Sequence, residues 1–136
     1  MKICKMIMTV MVMGITSDLP AQDSHDVEAS FARGKMIYEQ HCLACHQADG
    51  SGVPNLAPPL IKGVFVNGDT QRLVNIVLDG LEGVEIKGEY YANPMPAFDY
   101  LSDEEIADVL TYVRTGFSNT AGALTKEVVA QARNKK

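Results

Sequence analysis

The five residues Cys42-Leu43-Ala44-Cys45-His46 concentrate the chemistry of this 136-residue chain. Their order is C-x-x-C-H, the spacing of c-type haem attachment. Two thiols set this close reach the two vinyl groups on one edge of a porphyrin and form thioether bonds. His46 is then tethered beneath the ring, where one imidazole nitrogen binds iron and the other is held by a neighbouring acceptor. Two other chemistries share part of the pattern. A redox dithiol of the thioredoxin kind wants a βαβ setting, and none surrounds the motif. A zinc site wants a second ligand pair, whereas the remaining cysteine is the distant Cys4 and the remaining histidines are His25 and His41.

A six-coordinate iron needs a ligand opposite His46. Met95 is the candidate, 49 residues downstream in Asn93-Pro94-Met95-Pro96-Ala97-Phe98. Pro94 fixes its own φ and Pro96 keeps Met95 out of the helical region, so the segment is stiff and extended. A weak thioether ligand suits such a loop, because the backbone rather than the bond must hold the geometry. Methionine more often fills gaps in a core, and the haem motif is what tips the balance here. Met36, inside the first helix, should pack rather than ligate. His41 adjoins Cys42 and cannot easily reach the opposite face, and His25 does so only if the leader folds over the ring. Pro58 and Pro59 stiffen the loop after the motif; alternatively, the Pro58 carbonyl also accepts the second ring N–H of His46.

The elements that must position these residues read as follows. Residues 1–21 have Lys2 and Lys5, then an uncharged, largely apolar run over 6–15, then small and polar residues to Ala21. This is the layout of a secretory signal peptide cleaved after Ala21, although Leu19 stands where a small residue is usual. The run of 10 residues is short against the roughly 20 needed to cross a bilayer. Export fits the cysteine usage: Cys4 leaves with the signal, and Cys42 and Cys45 are both in the motif. Residues 22–136 then form one small domain, after a polar, loose leader over 22–26.

The full chain has 12 bases against 17 acids, net −5; loss of Lys2, Lys5 and Asp18 makes it −6. An acidic domain does not suit nucleic acid or an anionic membrane surface. Partners should present basic or mainly apolar docking patches. The mature domain should not insert into a membrane and should be a monomer.

A first helix is predicted over 26–40, with Val27, Phe31, Gly34 and Tyr38 on one face. Gly34 on that stripe points to a second helix crossing closely. Residues 47–63 hold three glycines and three prolines and read as loop, so the motif sits where a helix ends. A second helix should run from 69 or 70 to about 80, apolar on most of its surface and buried on two sides. Residues 84–91 alternate around Lys87-Gly88 and predict a short hairpin. A third main helix opens with the capping box Ser102-x-x-Glu105, carries Ile106, Val109, Leu110 and Val113, and stops at Gly116. Residues 125–133 should form a last short helix with a solvated end.

With these residues in view, the chain resembles the class I cytochrome c family. The resemblance covers about residues 30–118. It rests on Gly34-x-x-x-Tyr38-x-x-x-Cys42-x-x-Cys45-His46, on Asp49-Gly50-Ser51-Gly52, on Pro58-Pro59-Leu60 and on Met95-Pro96-Ala97-Phe98. Leu101 to Ala107 and Leu110-Thr111-Tyr112-Val113-Arg114 complete it. The resemblance implies an all-α fold of three to five helices around one covalently bound haem c, with a short β-hairpin before the methionine. It implies thioethers at Cys42 and Cys45, His46 and Met95 as axial ligands, and Pro58 supporting His46. It also implies that Gly34 and Tyr38 face Val109 and Tyr112. Without tryptophan, Tyr90, Tyr91 and Asn93 are left as hydrogen-bond donors to the propionates.

The implied activity is periplasmic one-electron transfer between redox partner proteins, not catalysis. A thioether and an apolar pocket favour reduced iron and raise the potential. Two other readings stand beside it: a fixed cytochrome subunit of a dehydrogenase or oxidase complex, and a haem with a displaceable methionine acting as peroxidase or gas sensor.

Overall fold

The computed structural model describes residues 24–135. The expected signal peptide over 1–21, with Cys4, lies outside the described residues. Within them, five helices and one two-stranded antiparallel sheet are formed: α1 (Ser24–His41), α2 (Leu43–His46), α3 (Thr70–Asp79), β1 (Val84–Ile86), β2 (Glu89–Tyr91), α4 (Asp103–Thr115) and α5 (Lys126–Asn134). No described helix is long and apolar enough to cross a membrane.

The scaffold is the crossing of α1 over α4. Gly34 lies at the crossing point, where a Cβ would stand 2.0 Å from the Asp108 carbonyl oxygen and 3.0 Å from Tyr112 Cβ. Only glycine permits this approach. The expected partner Val109 is buried and lines the interior cleft, as Tyr38 does. Around the crossing, Tyr112 packs on Phe31, Tyr38 and Phe117 with ring centroids 4.8, 5.2 and 5.3 Å apart. Buried Asp108 accepts from Ser30 at 2.6 Å and from Arg33 at 2.5 and 2.9 Å, so its charge is paired where it leaves water.

Val27, expected on this face, and Met36, expected to pack, are both largely exposed. Val27 is 41% exposed, because it lies about 10 Å along the axis from Gly34 and lines an outer groove beside α4. Met36 is 56% exposed, two residues from Gly34 and so on the opposite side of the helix.

The chemistry of the helix ends follows the sequence. Asp69 Oδ1 accepts from the Arg72 N–H at 2.7 Å and caps α3. Ser102 and Glu105 form a reciprocal capping box on α4, and the Gly116 N–H closes its other end on Tyr112 O at 2.8 Å. The hairpin pairs Val84 with Tyr91 and Ile86 with Glu89. Its turn residues Lys87 and Gly88 have φ of 54° and 83°, as a two-residue turn matched to strand twist requires.

The C-terminal helix corrects an expectation. α5 packs on α3 and α4, with Val129 and Ala132 buried. Its far end is a tether rather than solvated surface: Arg133 donates to Asp103 Oδ1 at 2.8 Å and to the carbonyls of Asp99 and Leu101 at 2.9 and 2.8 Å.

Two buried polar side chains hold the loops. Arg114 donates to the carbonyls of Val66, Ala121 and Gly122. Asn119 accepts from Lys62 N–H at 2.8 Å and donates to Leu60 O and Val113 O at 3.0 and 2.9 Å. Loop 60–67 is thereby fastened to the end of α4.

Candidate haem site

The motif is more helical than expected. α1 ends at His41, but the Cys42 N–H still reaches Tyr38 O at 2.8 Å, and the His46 N–H reaches Cys42 O at 2.9 Å. Cys42, Cys45 and His46 are therefore carried on one further helical turn, and the loop begins at Gln47, with φ 65°. Tyr38 is buried and donates its hydroxyl to Gln47 O at 2.6 Å, which fixes that exit.

The motif borders an apolar cleft of about 860 Å³, open solvent at its mouth included. Ile37 and Tyr38 of α1, Leu73 and Val77 of α3, and Leu110 and Val113 of α4 form its walls. As expected, α3 is apolar toward both core and cleft. An adjoining lobe of about 630 Å³ extends past Cys45, Leu56, Val84, Tyr91 and Asn93. Cys42, His46, Pro58 and Met95 line both spaces, and Cys45 lines the second. All five residues singled out by the sequence thus border one or both of these adjoining apolar spaces.

His46 is buried, and its Nδ1 lies 3.0 Å from the Pro58 carbonyl oxygen. A carbonyl only accepts, so Nδ1 carries the proton and Nε2 keeps its lone pair. Burial lowers the imidazole pKa, partly opposed by the Pro58 carbonyl, and the neutral ligating form is favoured. Met95 is held by its backbone: its N–H donates to Leu81 O at 2.8 Å, and Leu81 N–H donates to Met95 O at 3.1 Å. Gly80 makes this possible, with φ 79° and a would-be Cβ 2.5 Å from Met95 O.

Cys42 and Cys45 are free thiols. Burial first, and Cys45 second, push the Cys42 thiol up to about 12, the opposite of a reactive dithiol. Among the described residues, no three His, Cys, Asp or Glu side chains converge as metal donors. Two half-buried thiols and a neutral imidazole on the wall of an apolar cleft do fit a covalently held haem.

A family profile for cytochrome c matches residues 31–117. The chain belongs to the cytochrome c family. Cytochrome c-552 of Thermus thermophilus is 37% identical over 115 residues, covering 77% of this chain and 87% of that protein. The cytochrome c subunit of the quinone-dependent alcohol dehydrogenase of Gluconobacter oxydans is 37% identical over 90 residues, 65% of this chain but 19% of that subunit. The gluconate 2-dehydrogenase cytochrome c subunit of Pantoea cypripedii is 36% identical over 104 residues, 74% of this chain and 24% of that subunit. This cytochrome c is thus a monohaem, class I protein with covalently bound haem c, and its activity is electron transfer.

Of the propionate partners considered, Tyr91 and Asn93 border the lobe, whereas Tyr90 is 58% exposed. Sequence reasoning passed over His41 as a cleft residue. It lines both spaces, with its ring 5.8 Å from that of Phe98 and its Nδ1 3.5 Å from the Tyr100 hydroxyl. Aromatic residues at 98 and 100 were its only signal.

Proposed function

We propose that this cytochrome c is an exported, periplasmic carrier of single electrons, with haem fixed by Cys42 and Cys45 and ligated by His46 and Met95. Bound in the cleft, the haem supplies a reversible one-electron couple. The residues hold that group still: the Pro58 carbonyl orients His46, and the Leu81 bridge orients the Met95 backbone. The apolar walls keep water away and favour the lower charge on iron. The observation that carries this reading is the convergence of both cysteines, the Nδ1-protonated His46 and Met95 on two adjoining apolar clefts.

Leu56 and Val64 line the cleft and are 45% and 44% exposed. They support an apolar docking patch near it for a transient redox partner, and net acidity supports additional attraction to basic partners that fades with salt. The carrier is monomeric in this reading. The dehydrogenase subunits among the relatives favour a second one, in which the domain serves as a fixed cytochrome component of such a complex. A partner that co-purifies through gel filtration at high salt selects the second.

Met95→Ala tests the site. Haem should remain attached, as read by the pyridine haemochrome spectrum after acid–acetone extraction. The sulfur-to-iron band at the red end of the ferric spectrum should vanish, the potential should fall, and the ferrous protein should bind carbon monoxide. An unchanged potential refutes ligation by Met95.

A further inference from the structure

Between Leu81 and Met95 the chain makes an excursion whose ends are tied by the Leu81–Met95 bridge. The β1–β2 hairpin is that excursion. Its strands pair with each other, and neither packs extensively on a helix. Yet Val84 and Tyr91 face residues 56–58 across the second lobe of the cleft. One bond fastens the far end of the hairpin: the Asn55 N–H donates to Glu89 Oε1 at 2.6 Å. Asn55 sits at the tip of a turn closed by the Val53–Ala57 bridge, with φ 58°. Pro58, whose carbonyl meets His46, follows that turn directly. Glu89 shares a strand face with Tyr91, whose hydroxyl pKa is raised by burial and by its hydrogen bond to Glu89.

We propose that Glu89 is a positioning residue for the Met95 ligand: its carboxylate, by holding the Asn55 N–H, pins the hairpin against the loop that supports His46 and bars small ligands from the Met95 side. The inference rests on the reading of Met95 as a ligand. A carboxylate accepting from a backbone N–H is stronger than a neutral pair, and neither strand packs extensively on a helix. Released, the hairpin can swing on the Leu81–Met95 hinge, and Met95 loses the constraint on its leading side.

The test is imidazole binding to haem-loaded ferric protein, followed through loss of the sulfur-to-iron band, with global unfolding followed by far-UV circular dichroism. Glu89→Ala should bind imidazole about tenfold more readily, with full haem content and an unfolding midpoint close to wild type. Glu89→Gln keeps an accepting oxygen and should recover part of the effect. Glu85→Ala, an exposed residue on β1, should match wild type. Imidazole binding by Glu89→Ala equal to wild type overturns the proposal, and so does a rise matched by an equal loss of global stability. A wild-type ferric spectrum without the band overturns the Met95 reading and this proposal together.

Discussion

Gly34→Ala sets two effects of known sign against each other. On an isolated helix, alanine gains about 1 kcal/mol over glycine. At the α1–α4 crossing, the added methyl would stand 2.0 Å from the Asp108 oxygen, 1.4 Å inside the 3.4 Å of ordinary contact. The obstacle is helix backbone, so no side-chain rotation relieves it and the axes must part. Parting them loosens the Phe31–Tyr112 and Tyr38–Tyr112 stacks and the Ser30 and Arg33 bonds to Asp108. Overpacking of this kind costs about 1–3 kcal/mol, and a rigid obstacle places the cost near 3. The net loss is about 2 kcal/mol, or about 8 °C in Tm at roughly 4 °C per kcal/mol for a domain of this size. Thermal unfolding of the haem-loaded protein by circular dichroism measures it, with exposed Met36→Ala as a control that should stay near wild type. A Gly34→Ala protein as stable as wild type, or more so, refutes the reasoning, because helix propensity alone would then decide.

Asn119→Ala should lower the unfolding free energy by about 2–3 kcal/mol, seen as a lower denaturant midpoint at unchanged slope, since it orphans the buried carbonyl of Val113 and the donor of Lys62; an equilibrium guanidinium titration reads this. Ser102→Ala should cost about 1 kcal/mol by loss of the α4 cap, read in the same way. The Ser102 backbone and side chain, in that order, hold the Glu105 carboxyl below its ordinary value of 4.5. Its contribution is therefore full above that value and disappears as pH falls through the lower native one. The stability gap between wild type and Glu105→Gln should be full above about pH 4.5 and close as pH falls below it.

What the sequence disclosed was local chemistry. Ser102 and Glu105 announce a helix start because both halves of the capping box lie within one turn, and Lys87-Gly88 announces a hairpin because the turn is two residues long. Gly34 announced a close crossing, but which carbonyl it meets depends on the pitch of α4. The five candidate site residues were nameable because motif spacing and flanking prolines are sequence properties. That they border adjoining clefts depends on tertiary packing. The tertiary roles of Asp108, Arg114 and Asn119 gave no signal: their partners lie up to 78, 48 and 59 residues away. Arg133 looked like ordinary surface for the same reason.

That arginine links the end of the chain to its interior. By gripping the carbonyls of Asp99 and Leu101, it braces the stretch that follows Met95. A fusion partner or electrode linker grafted behind Asn134 therefore tugs on the methionine side of the molecule.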